Sequence, residues 1–181
     1  KTGLAHLFEH LMFKGTPRFG AKQFFRKLES KGAVVNAYTL RDATVYYEVI
    51  ASNYLERVID MESDRLKNLT LTEADLNAER TIVKEERRLR VDSNYHEQQM
   101  EELEKLAFPT HPYGWPVIGY QADLDQITLE ECQDFFKTYY QPGNAIVVIS
   151  GDFDLEIAKS WMTKYYGSIA GRSVPSLDPD D

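Results

Sequence analysis

Two histidines and a glutamate stand close together near the start of the chain, at His6, Glu9 and His10. On an α-helix, residues three and four apart lie on one side. These three side chains would therefore fall within an arc of about 100°. Two neutral imidazoles held in that way can share a zinc ion, and a carboxylate between them can take a proton from a metal-activated water. The order is H-x-x-E-H, the inverse of the commoner H-E-x-x-H helix. The same residues could serve as two core histidines hydrogen-bonded to Glu9, but the two-His-one-Glu spacing is much the rarer by chance. Leu4, Ala5, Leu7, Phe8, Leu11, Met12 and Phe13 surround them, so the helix reads as buried, and ionisable groups there need partners.

A catalytic zinc takes three protein ligands and keeps one open position, so a third ligand must come from elsewhere. The stretch opened by Thr72 is helical in period, with Asp75 completing a weak capping box. Leu76, Ile82, Val83 and Leu89 define its inward arc, about 140° wide. Glu79 and Glu86 fall inside that arc, whereas Glu85 points away to solvent. A carboxylate turned inward needs a cation. Glu79 and Glu86 are either a source of that third ligand or a charged helix edge paired with Arg80 or Arg87.

The elements that must position these groups follow from pattern. A first helix runs to about Lys14 and is stopped by Gly15, Thr16 and Pro17. A second covers Ala21 to Ser30, with Phe24, Phe25 and Leu28 inward. Val34 to Leu40 and Thr44 to Ile50 alternate as a hairpin about Arg41-Asp42. Asn53 is placed to cap a third helix, with Leu55, Val58, Ile59 and Leu66 inward. The long helix from Thr72 reaches toward Leu106, with a break near Asp92-Ser93-Asn94. Residues 109–119, rich in Pro and Gly, read as a loop. Thr128 and Glu131 cap a further helix, Ala145 to Ser150 reads as a buried strand, and Asp154 starts a last helix that ends at Gly167. The fold class is α+β, a mostly antiparallel sheet covered on one side by helices. Residues 172–181, with two prolines, read as a linker.

With 181 residues, 43% hydrophobic and 28% charged, the chain is long enough for one sizeable core. A net charge of −8 argues against a nucleic-acid partner. No apolar run is long enough to span a membrane, and Cys132, the single cysteine, excludes an internal disulfide. The chain opens just upstream of a buried helix without an initiator Met, and is expected to be a fragment of a longer protein.

Taken together, His6-Leu-Phe-Glu-His10, Phe13-Lys-Gly-Thr16, Asn36-Ala-Tyr-Thr39, Glu79 to Glu86 and His111-Pro-Tyr-Gly114 resemble the M16 zinc peptidases. The similarity runs from Lys1 to about Gly171, and the loops look most like the bacterial processing-peptidase-like branch. A glutamate 76 residues after the second histidine makes the motif highly specific. The resemblance implies that His6, His10 and Glu86 hold one zinc ion per domain. It implies that Glu9 is the general base and Glu79 a second carboxylate supporting catalysis. It further implies that Asn36, Ala37 and Tyr38 form the strand edge on which peptide or unfolded protein substrates lie. Residues 1–171 would be the zinc-bearing N-terminal domain, lacking the family's usual first strands. A second M16-type domain, in cis or from a partner subunit, would complete it. The alternatives are a non-catalytic M16-like subunit or a peptide-binding assembly partner. The expected location is the bacterial periplasm, cell envelope or cytoplasm.

Overall fold

The computed structural model describes residues 1–20, 23–171 and 174–175. Helix α1 (Leu4–Leu11) is the hub. It is shorter than the expected run to Lys14, because the chain tightens after Leu11. Phe13 N–H then bonds His10 O at 3.2 Å and Lys14 N–H bonds Leu11 O at 3.0 Å, closing three-residue turns before Gly15. Helix α2 (Gln23–Glu29) leads into strands β1 (Val34–Thr39) and β2 (Thr44–Val49), which pair antiparallel with Val34 opposite Val49 and Thr39 opposite Thr44. Along β1, Val35, Ala37 and Thr39 are half-buried, while Val34, Asn36 and Tyr38 are exposed. The helices α1 and α2 lie against this hairpin, giving the expected antiparallel sheet with helices on one side.

Helices α3 (Leu55–Asn68), α4 (Glu73–Arg87), α5 (Tyr95–Ala107), α6 (Gln121–Gln126), α7 (Leu129–Tyr139) and α8 (Leu155–Tyr166) follow. The capping boxes at Thr72/Asp75 and Thr128/Glu131 are both formed. A π-helical turn, Arg88–Asp92, separates α4 from α5 at the expected break. Leu7, Phe8, Leu11 and Met12 of the α1 region meet Leu76 and Val83 of α4, with Leu124, Ile127 and Cys132 closing one core. Phe19, Phe24, Leu28 and Met61 form a second.

Several expectations are corrected. Asn53 does not cap a helix; it sits in a 3-10 turn, Ser52–Tyr54, and α3 starts at Leu55 without a side-chain cap. Of the inner face expected there, Ile59 is buried, but Leu55, Val58 and Leu66 are only half-buried. Asp60, Asp64 and Arg65 are buried in their place because each is paired with an opposite charge: Asp60 and Asp64 with Arg18, Arg65 with Glu62. On α4, Ile82 and Leu89 are 50% and 58% exposed. The inward stripe is narrower than expected: α1 and α6 cover the side that carries Leu76 and Val83 and leave Ile82 and Leu89 outside the contact. The Pro- and Gly-rich stretch contains a 3-10 turn (Pro112–Gly114), and α6 follows it unannounced by any apolar period. Ala145 to Ser150 is not a buried strand: Ile146 is 93% and Val148 83% exposed. An apolar run is buried as a strand only where another strand's edge receives it, and among the described residues none pairs with this one. The proposed linker lies mostly outside the described residues.

Candidate metal centre

Helix α1 projects His6 and His10 from one side, one turn apart, with ring centroids 5.0 Å apart and ring planes at 78°. Helix α4 faces them with Leu76, Glu79, Val83 and Glu86 in one stripe. The two leucine and valine positions are fully buried and anchor the stripe against α1. The intervening glutamates are thereby carried to the histidines. Glu86 Oε2 stands 3.7 Å from His6 Nε2 and 3.5 Å from His10 Nε2. One donor atom from each of His6, His10 and Glu86 lies within 4.8 Å of the others. A tetrahedral zinc with bonds of 2.0–2.1 Å needs donor–donor edges of about 3.3 Å, so the two observed edges need only close by a few tenths of an ångström.

Glu79 takes a different place. Its Oε2 lies 3.1 Å from His10 Nδ1, and its Oε1 lies 2.6 Å from Lys14 Nζ. An ionised carboxylate can only accept, so the His10 Nδ1 proton points at Glu79 and, in the neutral ring that a metal requires, Nε2 keeps its lone pair. That lone pair faces the Glu86 carboxylate at a distance too long for a good hydrogen bond. Two electron-rich atoms so placed call for a cation between them, and the donor set fits zinc. His6 Nδ1 is buried without a hydrogen-bond partner among the described residues. Arg90 Nη1 holds the other oxygen of Glu86, Oε1, at 2.8 Å.

The local environment divides the ionisable groups. Burial, with the nearby His10 and Arg90, drives the His6 imidazole down to about 4 in spite of Glu86. Burial also pulls on His10, but the hydrogen bond and charge of Glu79, with Glu86 and Glu9, outweigh it and leave its pKa raised. For Glu79 burial pushes upward, yet His10 and Lys14 hold it below the usual carboxylate range. Glu9 is 8% exposed and accepts a hydrogen bond from the Thr39 hydroxyl. Its pKa is raised, chiefly by burial, with Thr39 pulling the other way.

Asn36, Ala37 and Tyr38 lie on β1, whose other edge is unpaired among the described residues. Asn36 Oδ1 accepts from Ala37 N–H at 2.9 Å. Thus the structure brings His6, His10 and Glu86 into one cluster, with Glu79 beside it and Glu9 tied to the end of the edge strand. Sequence reasoning missed Lys14 and Thr39. Lys14 had a signal, since a buried Glu79 needs a cation; Thr39 had none.

Residues 1–121 match the model of Insulinase (Peptidase family M16), and residues 126–180 match that of the Peptidase M16 inactive domain. The chain belongs to peptidase family M16. It is 33% identical over 169 residues to the zinc protease PqqE of Helicobacter pylori, covering 93% of this chain and 38% of that protein. It is 30% identical over 181 residues to the human mitochondrial-processing peptidase subunit beta, covering 98% of this chain and 37% of the relative. The crystal structure of a protease from Helicobacter pylori superposes with a TM-score of 0.93 at 32% identity, over 97% of this chain and 43% of that one. This M16 chain therefore spans about two fifths of the length of these relatives. Its kinship with M16 zinc proteases supports a peptidase function in general. No helix among the described residues is long and apolar enough to cross a membrane.

Proposed function

We propose that this chain forms the zinc-bearing part of an M16 metalloendopeptidase that hydrolyses extended peptides or small unfolded proteins. The observation that carries the reading is the convergence of His6, His10 and Glu86 from two packed helices on one small volume. Those three residues would hold zinc, which when bound supplies a Lewis acid that polarises a carbonyl and eases deprotonation of water. Glu79, charge-balanced by Lys14, fixes the tautomer and orientation of His10. Glu9 takes a proton from the attacking water and returns it to the leaving amine. A carboxyl whose pKa is raised toward the working pH is the better suited to that exchange.

The substrate lies along the free edge of β1. Main-chain bonds to Asn36, Ala37 and Tyr38 would give affinity with little demand on sequence. A second M16-type domain, in the same chain or a partner subunit, closes over the peptide; the greater length of the relatives supports this. The test is cleavage of an internally quenched peptide by the full-length protein. A chelator should abolish cleavage and added zinc restore it, with one zinc bound per domain of this type. Cleavage indifferent to chelation, or no stoichiometric zinc, would overturn the reading.

A further inference from the structure

The geometry points to Thr39 as the positioning residue for Glu9: its hydroxyl, at the last residue of β1, donates to Glu9 Oε2 and sets the direction in which that carboxylate faces. The inference rests on Glu9 being the general base. Among the described residues Thr39 is the only hydrogen-bond donor to this buried carboxylate. A glutamate has three rotatable bonds, and a base must be held to within about 0.5 Å of its productive position. Threonine is suited to hold it, because a β-branched side chain is stiff at its first torsion. Thr39 is itself fixed by strand pairing, opposite Thr44.

Further hydroxyls back the contact and define its sense. Thr39 Oγ1 lies 3.4 Å from Thr44 Oγ1, Thr44 lies against the Tyr140 hydroxyl, and Tyr140 Oη is 2.7 Å from Tyr46 Oη. Each hydroxyl has one proton. Ionised Glu9 can only accept, so Thr39 spends its proton there and must accept from Thr44. Both threonine protons then point toward Glu9, and hydroxyls so arranged polarise one another favourably. Because Asn36, Ala37 and Tyr38 precede Thr39 on the same strand, the edge that seats the peptide and the tether that aims the base are one rigid piece.

The experiment uses the zinc-loaded full-length protein and an internally quenched peptide, with Thr39→Val, Thr39→Ser and Glu9→Gln. Thr39→Val should lower kcat by about 10–100-fold, leaving KM and bound zinc unchanged, and Thr39→Ser should recover most of the loss. In a crystal structure of Thr39→Val the Glu9 carboxylate should be turned away while His6, His10 and Glu86 keep their places. The inference is overturned by unchanged kcat in Thr39→Val, by an unmoved Glu9, by loss of zinc, or by a serine variant as impaired as the valine one. An inactive Glu9→Gln beside a fully active Thr39→Val would refute the role of Thr39 alone. A fully active Glu9→Gln would refute the general base, and the role of Thr39 with it.

Discussion

His6 and His10 sit one helical turn apart yet meet protons very differently. His6 is driven down to about 4, while His10, bonded to Glu79, is raised above the ordinary 6.5. A metal needs both rings neutral, so protons compete with zinc at each ring only below that ring's own pKa. From pH 6 down to about 5, above the range in which carboxylate ligands ordinarily take up protons, the competition should therefore come from His10 alone. Zinc titration of the metal-free protein across that range should show an affinity falling tenfold per pH unit, the slope of one proton. A hundredfold fall would mean both rings titrate together. Lys14 acts one step further out. Removing its charge with Lys14→Met should weaken zinc by about 10–100-fold through Glu79 and His10, measured by chelator competition, while Lys14→Arg should retain most of it. His6, Glu9 and His10 were legible because a single helical turn fixes their relation. Thr39 was not, since its contact with Glu9 crosses 30 residues and depends on how the hairpin docks.

At the scale of elements, α1 is anchored through the residues that lead into it. Its start is locked to the loop before α6 where Gly3 and Gly119 cross. A Cβ on Gly119, whose φ is +85°, would come within 2.5 Å of Gly3 Cα. Thr2 adds bonds to Asp123 and receives one from Tyr120 N–H. Gly119→Ala should cost about 2–4 kcal/mol in strain and overpacking, seen as a lowered denaturation midpoint, and should loosen zinc because α1 moves. An unchanged midpoint and affinity would contradict this. The phase of α4 was readable in part. Glu79 and Glu86 share the anchored side with Leu76 and Val83, but Ile82 and Leu89 do not, since periodicity gives a direction and not the width of the covering neighbour. The run 145–150 failed for the corresponding reason: composition says that a segment prefers burial, not that a partner stands beside it.

Across the whole molecule, two cores meet at one buried cation. The Arg65 guanidinium lies 4.8 Å from the Phe13 ring centre, 4.4 Å from Phe24 and 4.6 Å from Tyr46. Its Nη2 bonds both oxygens of Glu62 at 2.6 Å. Nearby, burial and then the Glu62 carboxylate push Glu48 up to about 9 from an ordinary 4.5, against the pull of Arg65. Between those values the folded protein holds a proton on Glu48 that the unfolded chain releases. Its contribution to stability is full below about 4.5 and is lost as pH rises through about 9. Glu48→Gln should flatten the fall in Tm between pH 5 and 9, measured by thermal denaturation at several pH values; an equally steep fall would show that Glu48 is ionised in the fold. None of this buried charge could be foreseen from α3, where a run such as Glu62-Ser-Asp-Arg65 reads as a solvated face.

The central claim is that α1 and α4 together make one metal site, and anomalous diffraction from zinc-loaded crystals of the full-length protein tests it most directly. The predicted result is a single zinc peak in this domain, about 2.0–2.2 Å from His6 Nε2, His10 Nε2 and a carboxylate oxygen of Glu86. A peak elsewhere in the domain, or none between these three side chains, would contradict it.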